Sequence, residues 1–246
     1  MQSIKTIYKI GPGPSSSHTF GPMMASKYIN EQYPEATNFK ITLFGSLALT
    51  GKGHLTDKII LKTLGTSKCE IIFDMKTPVE HPNTMIIEVF DKDTKIAKHT
   101  FVSIGGGKIE IDGKKGNVDP EIYPHTKMDD IQVYCNERHL RLDQYIDEVE
   151  DSDFDSYMNQ IFKQMLKTVN TGLKKTGVLP GSLKIDRVAH ALHQSAQSCS
   201  DIQDKNSLLL SSYAYAANEQ NASGGIVVTA PTMGSCGVLP SLVYHF

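Results

Sequence analysis

Histidine and serine recur in glycine-rich turns through the first half of this chain. The turns read GPGPSSSHTFGP (11–22), GSLALTGKGHLTD (45–57), EHPNT (80–84) and SIGGGK (103–108). Small residues let the backbone approach a ligand closely, and His18, His54 and His81 each sit in one of these turns. Any single turn reads as an ordinary solvated connection. Together they suggest a pocket lined by hydroxyls, imidazoles and glycine, a lining suited to fixing a small polar substrate.

The densest segment of the second half is NEQNASGGIVVTAPTMGSCGVLP (218–240). Its glycines, its short β-branched run and Pro231 set Thr229, Thr232, Ser235 and Cys236 around one bend that opens into a helix. Backbone N–H groups at a helix start favour an anion such as a carboxylate, and would lower the pKa of a thiol placed there. An equally good reading makes Cys236 a small buried residue beside glycines. Several familiar templates fail. Gly45 precedes Gly51-Lys52 by five intervening residues where a phosphate loop has four, and Gly53 follows where Ser or Thr is needed. Gly234-Ser235-Cys236-Gly237-Val238 lacks the last glycine of a nucleophile elbow. Gly105-Gly106-Gly107 could cup the phosphate of pyridoxal phosphate, but no lysine stands out as its Schiff base.

The elements that must carry these turns follow from periodicity. Alternation predicts strands at 39–44 and 69–73, and a hairpin of 84–90 with 96–104 turning at Asp91-Lys92-Asp93-Thr94. One helix begins near Pro22 and runs to about Tyr33; another follows Thr56, taken as its N-cap, and stops at Gly65. Seven acidic residues between Asp143 and Asp155 mark a linker or an exposed helix face. Phe154, Tyr157, Met158, Ile161, Phe162, Met165, Leu166 and Val169 then trace a strong amphipathic helix ending near Gly172. Further helices are expected at about 186–195 and 207–218. The expected class is α+β, with a mixed α/β sandwich over 1–150 and the beginning of an all-α domain over 151–246. Pro240 opens an apolar helix that the chain leaves without a cap, as a truncated chain would.

Composition excludes some functions. With Lys+Arg 25 against Asp+Glu 27 the formal net charge is -2, and Arg138, Arg141 and Arg187 are the only arginines, so nothing marks a nucleic-acid partner. No apolar run reaches the ~18 residues of a membrane helix, and the first residues are no secretory signal. Cys69, Cys135, Cys199 and Cys236 are widely spaced, which reads as reduced thiols of a cytoplasmic protein with no self-contained metal site.

Taken in order, GPSSSHTFGPM, GSLALTGKGHLTD, EHPN, SIGGGK, GVLPGSLK and NEQNASGG…VVTAPTMGSCGVLP resemble the iron–sulfur-dependent L-serine dehydratases, in the single-chain form where a β domain precedes a helical α domain. That resemblance implies conversion of L-serine to pyruvate and ammonia without pyridoxal phosphate. It implies a 4Fe-4S cluster held by three cysteines, whose open iron acts as Lewis acid on the substrate. Cys236 matches the first cluster ligand, and the other two are expected beyond residue 246. Ser16, Ser17, His18, His54, His81, Asn83 and Ser103 fall at matching motif positions of the β domain, and Thr229 and Thr232 line the site from the α domain. The resemblance leaves the base open between His18 and His54; His54, in its Gly-Lys-Gly-His turn, is the more freely presented. A homodimer is implied, with L-serine as the small-molecule partner. The departures are Met233 in place of a small or polar residue, Thr84 in place of Gly, and Ile226 in place of Arg. With one ligand of three, the 246-residue chain is expected to be inactive alone. The competing reading is a serine-binding regulatory module without chemistry.

Overall fold

The computed structural model describes residues 1–116 and 119–246. In chain order its elements are β1 (Ile10–Pro12), α1 (Gly21–Gln32), β2 (Asn38–Phe44), α2 (Gly45–Thr50), α3 (Thr56–Leu64), β3 (Cys69–Asp74), β4 (Thr84–Asp91), β5 (Thr94–Gly105), β6 (Lys108–Ile111) and β7 (Lys114–Lys115). There follow α4 (Met128–Arg138), α5 (Leu142–Val149), α6 (Phe154–Leu173), α7 (Ala189–Ser198), α8 (Ile202–Ala222), β8 (Ile226–Val228) and α9 (Val238–His245). Strands confined to the first half, apart from β8, and long helices in the second make this an α+β fold, as its sequence suggests.

A six-stranded sheet of order β3-β2-β4-β5-β6-β7 anchors the first half. Strand β2 runs parallel to β3, and every later neighbour is antiparallel. Phe39, Ile41 and Leu43 alternate toward one face, where Ile29 of α1, Leu47 of α2 and Ile60 of α3 close the core. The β4–β5 hairpin turns at Lys92-Asp93, with Lys92 left-handed (φ 53°). Gly105, Gly106 and Gly107 all take positive φ in the β5–β6 turn, a run that glycine alone tolerates easily.

Two details differ from expectation, and a third decides between two expected forms. Residues 45–50 form α2 instead of an open turn, because Leu47 and Ala48 are pulled into the core. Leu55, left-handed at φ 58°, is the N-cap of α3, while Thr56 is its first residue and spends its hydroxyl on the His18 carbonyl. The acidic stretch includes α5, whose Tyr145 is buried with Tyr123, Ile131 and Cys135 while its carboxylates face outward. It is thus the exposed helix face, the second of the two expected forms.

In the second half, Val169 and Leu173 of α6 pack with Ala189, Tyr213, Ala216 and Ala217. α6 ends at Leu173, next to the expected Gly172, and that glycine also serves a crossing: a Cβ there would stand 2.2 Å from the Ala216 carbonyl oxygen, so α6 and α8 cross backbone to backbone. The N-terminal strand stitches the halves together. Strand β1 pairs antiparallel with β8, Ile10 opposite Val228 and Pro12 opposite Ile226. Among the described residues no helix is long and apolar enough to cross a membrane.

Candidate active site

The SSSH turn is a single π-helical turn, Ser16–Phe20, feeding directly into α1. Such widened turns recur at functional sites because they rotate side chains out of helical register. Ser15 caps it, its Oγ accepting from the His18 amide at 3.1 Å. His18 is held at both ring nitrogens, with Ser17 Oγ 2.9 Å from Nδ1 and Ser46 Oγ 2.8 Å from Nε2. Its ring lies against His54, centroids 4.6 Å apart. Burial pushes the His18 pKa down, and the neighbouring His54 pushes it the same way, both favouring the neutral ring. The two turns are also tied through their backbones: Thr19 Oγ1 donates to the His54 carbonyl at 2.7 Å.

Ser46, on the first turn of α2, reaches a third motif as well. Its amide donates to the Pro82 carbonyl at 2.7 Å, holding the 81–84 turn against α2. Gly45 permits this, since a Cβ there would stand 2.7 Å from the same oxygen. Within that turn the Asn83 amide donates to His81 Nδ1 at 3.1 Å, and Thr84 Oγ1 closes it onto the His81 carbonyl at 2.6 Å. Asn83 is clamped to β5 from both sides: Ser103 N donates to Asn83 O at 3.0 Å, and Asn83 Nδ2 to Ser103 O at 3.3 Å.

The cysteine bend approaches from the second half. Cys236 is buried with Phe20, Val227 and Met233, so the residue two after His18 touches the cysteine's own cluster. Asn221 Nδ2 donates to the Pro14 carbonyl at 3.2 Å, just ahead of the serine turn. The Leu55 side chain, beside His54, packs at Gly224. Serine, histidine and asparagine turns thus converge on α2, with the cysteine bend behind the serine turn.

Two family models match this chain, that of the serine dehydratase beta chain over residues 3–72 and that of the serine dehydratase alpha chain over residues 45–246. The chain belongs to the serine dehydratase family. Among curated relatives it is 29% identical to "L-serine dehydratase" of Haemophilus influenzae and 32% identical to "L-serine dehydratase 2" of Escherichia coli, covering 100% of this chain and 66% of each relative. It is 33% identical to "L-serine dehydratase" of Helicobacter pylori strain J99, over 99% of this chain and 65% of the relative. The chain therefore spans just under two thirds of the length of these curated relatives.

Among the residues singled out from this family member's sequence, His18, His54 and Ser17 meet in the cluster described above, and the turn carrying His81 and Asn83 is joined to it through the Ser46–Pro82 backbone bond. Ser16 lies in the same turn, half-buried, with its backbone carbonyl accepting from Gly21. Ser103 supports the cluster from beneath: it is fully buried, its Oγ has no partner, and a Cβ on Gly21 would stand 2.0 Å from that oxygen. Thr229 is committed elsewhere. Its Oγ1 donates to the Ile7 carbonyl at 2.7 Å and accepts from the Lys9 amide at 2.9 Å, stapling the N-terminal segment. Thr232 stays exposed, 3.2 Å from Ser235 Oγ.

Cys236 departs from the helix-start expectation. Burial pushes its thiol up to about 12, and its nearest polar neighbours are Asn218 Oδ1 at 3.6 Å and the Ala217 carbonyl at 3.9 Å. Desolvation outweighs the short α9 N-terminus. Met233 fills this cluster with no exposure, which explains an apolar residue at that position. Among the described residues no three His, Cys, Asp or Glu side chains gather as a metal site, and Cys69 on β3, Cys135 on α4 and Cys199 after α7 lie in other elements. One buried thiol does not make up a cluster's ligand set.

Sequence reading missed Ser46, whose place in an apolar Gly-Ser-Leu-Ala-Leu stretch gives it no motif of its own. It also missed the buried Arg187–Glu219 pair, 3.7 Å apart, whose Glu219 Oε1 accepts from the Val188 and Ala189 amides at the start of α7. A lone arginine far along the chain from its acid carries no local signal.

Proposed function

We propose that this chain is the β domain (1–150) and the first part of the α domain (151–246) of an enzyme converting L-serine to pyruvate and ammonia. The observation that carries this reading is the convergence of the His18, His54 and 81–84 turns on Ser46, within a chain of the serine dehydratase family. His54 takes the proton from serine Cα. The electron pair left on Cα becomes the Cα–Cβ double bond, and the β-hydroxyl leaves with its own pair, becoming water on regaining the proton. The aminoacrylate tautomerises to an imine, and water converts that to pyruvate and ammonia. Ser16, Ser17, Asn83 and Thr232 supply hydroxyl and amide contacts to the substrate, while Ser103 and Thr229 hold the turns in place.

Cys236 is this chain's contribution to the 4Fe-4S cluster that the family resemblance implies. The described residues complete no ligand set, so the proton chemistry above stands on the histidine turns. The same resemblance supports a cytoplasmic homodimer with no nucleic-acid or membrane partner. The test is pyruvate release from L-serine by the full-length gene product, reconstituted anaerobically with iron and sulfide. We expect activity that needs iron, dies in air and is abolished by Cys236→Ala. Serine binding without pyruvate would instead indicate a regulatory module.

A further inference from the structure

Taking a lysine ammonium out of water is unfavourable unless an anion meets it. Between the N-terminal segment, α1 and β6 lies a cavity of about 580 Å³, a size that takes a small organic molecule. Met24 of α1 and Ile109 and Ile111 of β6 supply its apolar wall. Lys9 and Lys108 line it too, and they differ in one respect. Lys108 is already satisfied: its ammonium lies 3.3 Å from Asp119 Oδ2 and donates to Gln2 Oε1 at 2.9 Å. Lys9 has no such partner. Among the described residues its ammonium donates to no acceptor and pairs with no carboxylate, and it is not sealed in as a buried polar atom. Burial pushes the Lys9 pKa down; Asp119 recovers part of that, and Lys108 adds to it. Its backbone is bonded to Thr229 at both the amide and the carbonyl, so this half-buried lysine is anchored at its base. At the rim, Lys27 and Glu31 are exposed and opposite in sign. The described lining thus sets three lysines against two carboxylates, with one positive charge in excess.

We propose that this cavity binds a small monocarboxylate with an apolar body, its carboxylate on the Lys9 ammonium and its chain along Met24, Ile109 and Ile111. A charge-assisted hydrogen bond from Lys9 replaces the hydration that the half-buried ammonium gives up on folding. One excess positive charge matches a monoanion, whereas a phosphate dianion would keep an unmatched charge against hydrocarbon. L-Serine matches poorly as well: its ammonium would stand beside two lysines, and its hydroxymethyl group would leave the apolar wall bare. None of His18, His54 and His81 lines the cavity, and the proposal does not rest on the dehydratase reading. The cavity nevertheless touches the rest of the fold at one sensitive place. Gly107 lines it, and a Cβ on Gly107 would stand 2.5 Å from Cδ1 of Phe20, which is buried with Cys236.

The probe is hexanoate, titrated near pH 7 into the chain with its methionine and isoleucine methyl groups labelled for NMR. Saturable binding should move the methyl signal of Met24 together with that of Ile109 or Ile111. Hexanamide, the same chain without the charge, should bind about tenfold more weakly, and Lys9→Met should weaken hexanoate by about the same factor. Lys9→Arg, which keeps the charge, should retain most of the affinity. Because Lys9→Met removes an unpaired, half-buried ammonium, it should resist urea at least as well as the wild type. Should that variant fail to fold, hexanoate against hexanamide on the wild-type chain decides the same point. No saturable shift at Met24, or equal affinity for hexanoate and hexanamide, overturns the site, and an undiminished affinity in folded Lys9→Met overturns the role of Lys9. Inorganic phosphate and L-serine should leave bound hexanoate in place, and displacement by either at similar concentration overturns the class of ligand.

Discussion

His18 shows how far a single residue's surroundings set its chemistry. Its ring is partly buried, pinned at both nitrogens and stacked on His54, and burial and then His54 lower its pKa in the folded chain. The unfolded chain returns it to about 6.5. Below that value the unfolded state binds the proton more readily than the folded one. The contribution to stability is therefore fully present above about pH 6.5 and is lost as pH falls toward the folded-state pKa. His18→Gln, which keeps a polar end without a titrating ring, should cost stability at pH 7.5 but lose less on going to pH 5. Urea denaturation at the two pH values measures this, and an acid loss as steep as that of the wild type would show that His18 is not the group responsible. Ser46 acts on the same ring. Ser46→Ala removes the Nε2 partner and should cost about 1 kcal/mol, the usual worth of one such hydrogen bond.

At the scale of elements, the N-terminal segment is held to the second half by a short ladder and one threonine. Thr229 Oγ1 bonds the Ile7 carbonyl and the Lys9 amide, beside the β1–β8 pairing. Thr229→Val preserves shape while removing the partner of both part-buried backbone groups, so it should destabilise by about 1–2 kcal/mol. Hydrogen exchange at the Lys9 amide should speed up with it, and unchanged protection there would mean that the ladder alone holds the segment. The α6–α8 crossing gives a sharper contrast. Gly172→Ala drives a methyl to 2.2 Å from the Ala216 carbonyl oxygen and should cost about 1–3 kcal/mol, whereas Gly53→Ala meets nothing nearer than 3.4 Å and should stay within about 0.5 kcal/mol. Elements of this kind were legible where period and packing agree. The strands from Phe39 and Cys69, the hairpin turning at Lys92-Asp93 and the length of α6 all follow the sequence pattern. Where a tertiary contact overrides the local signal, the pattern misleads. Gly45 to Thr50 reads as a loop yet coils because Leu47 is drawn inward. The site follows the same rule. His18, His54 and His81 announce themselves by their turns, while the thiol of Cys236 lies beneath Met233 and Phe20, a burial that only the assembled halves produce.

At the scale of the whole molecule, the two halves are bound into one body by shared clusters as well as by strand pairing. Ile161 and Met165 of α6 pack on Val228 with Tyr8, and Phe20 packs on Met233 and Cys236. The serine–histidine turns can therefore be fully formed while the chemistry they belong to stays incomplete. Their geometry depends on contacts that are all present, whereas the donor set around Cys236 contains one thiol and no second ligand among the described residues. A cluster bound by one thiolate would have to pull that thiol down from about 12 without help from neighbouring donors. This chain, covering about 66% of its curated relatives, should accordingly take up well under one cluster's worth of iron on anaerobic reconstitution and release no pyruvate from L-serine. Alkylation supplies an independent check. In the folded chain at pH 8, Cys236 should react far more slowly than the half-buried Cys199, at the same rate before and after reconstitution, and readily once urea unfolds the chain. Stoichiometric iron, or protection of Cys236 appearing only after reconstitution, would mean that the missing ligands come from within these residues or from a second copy.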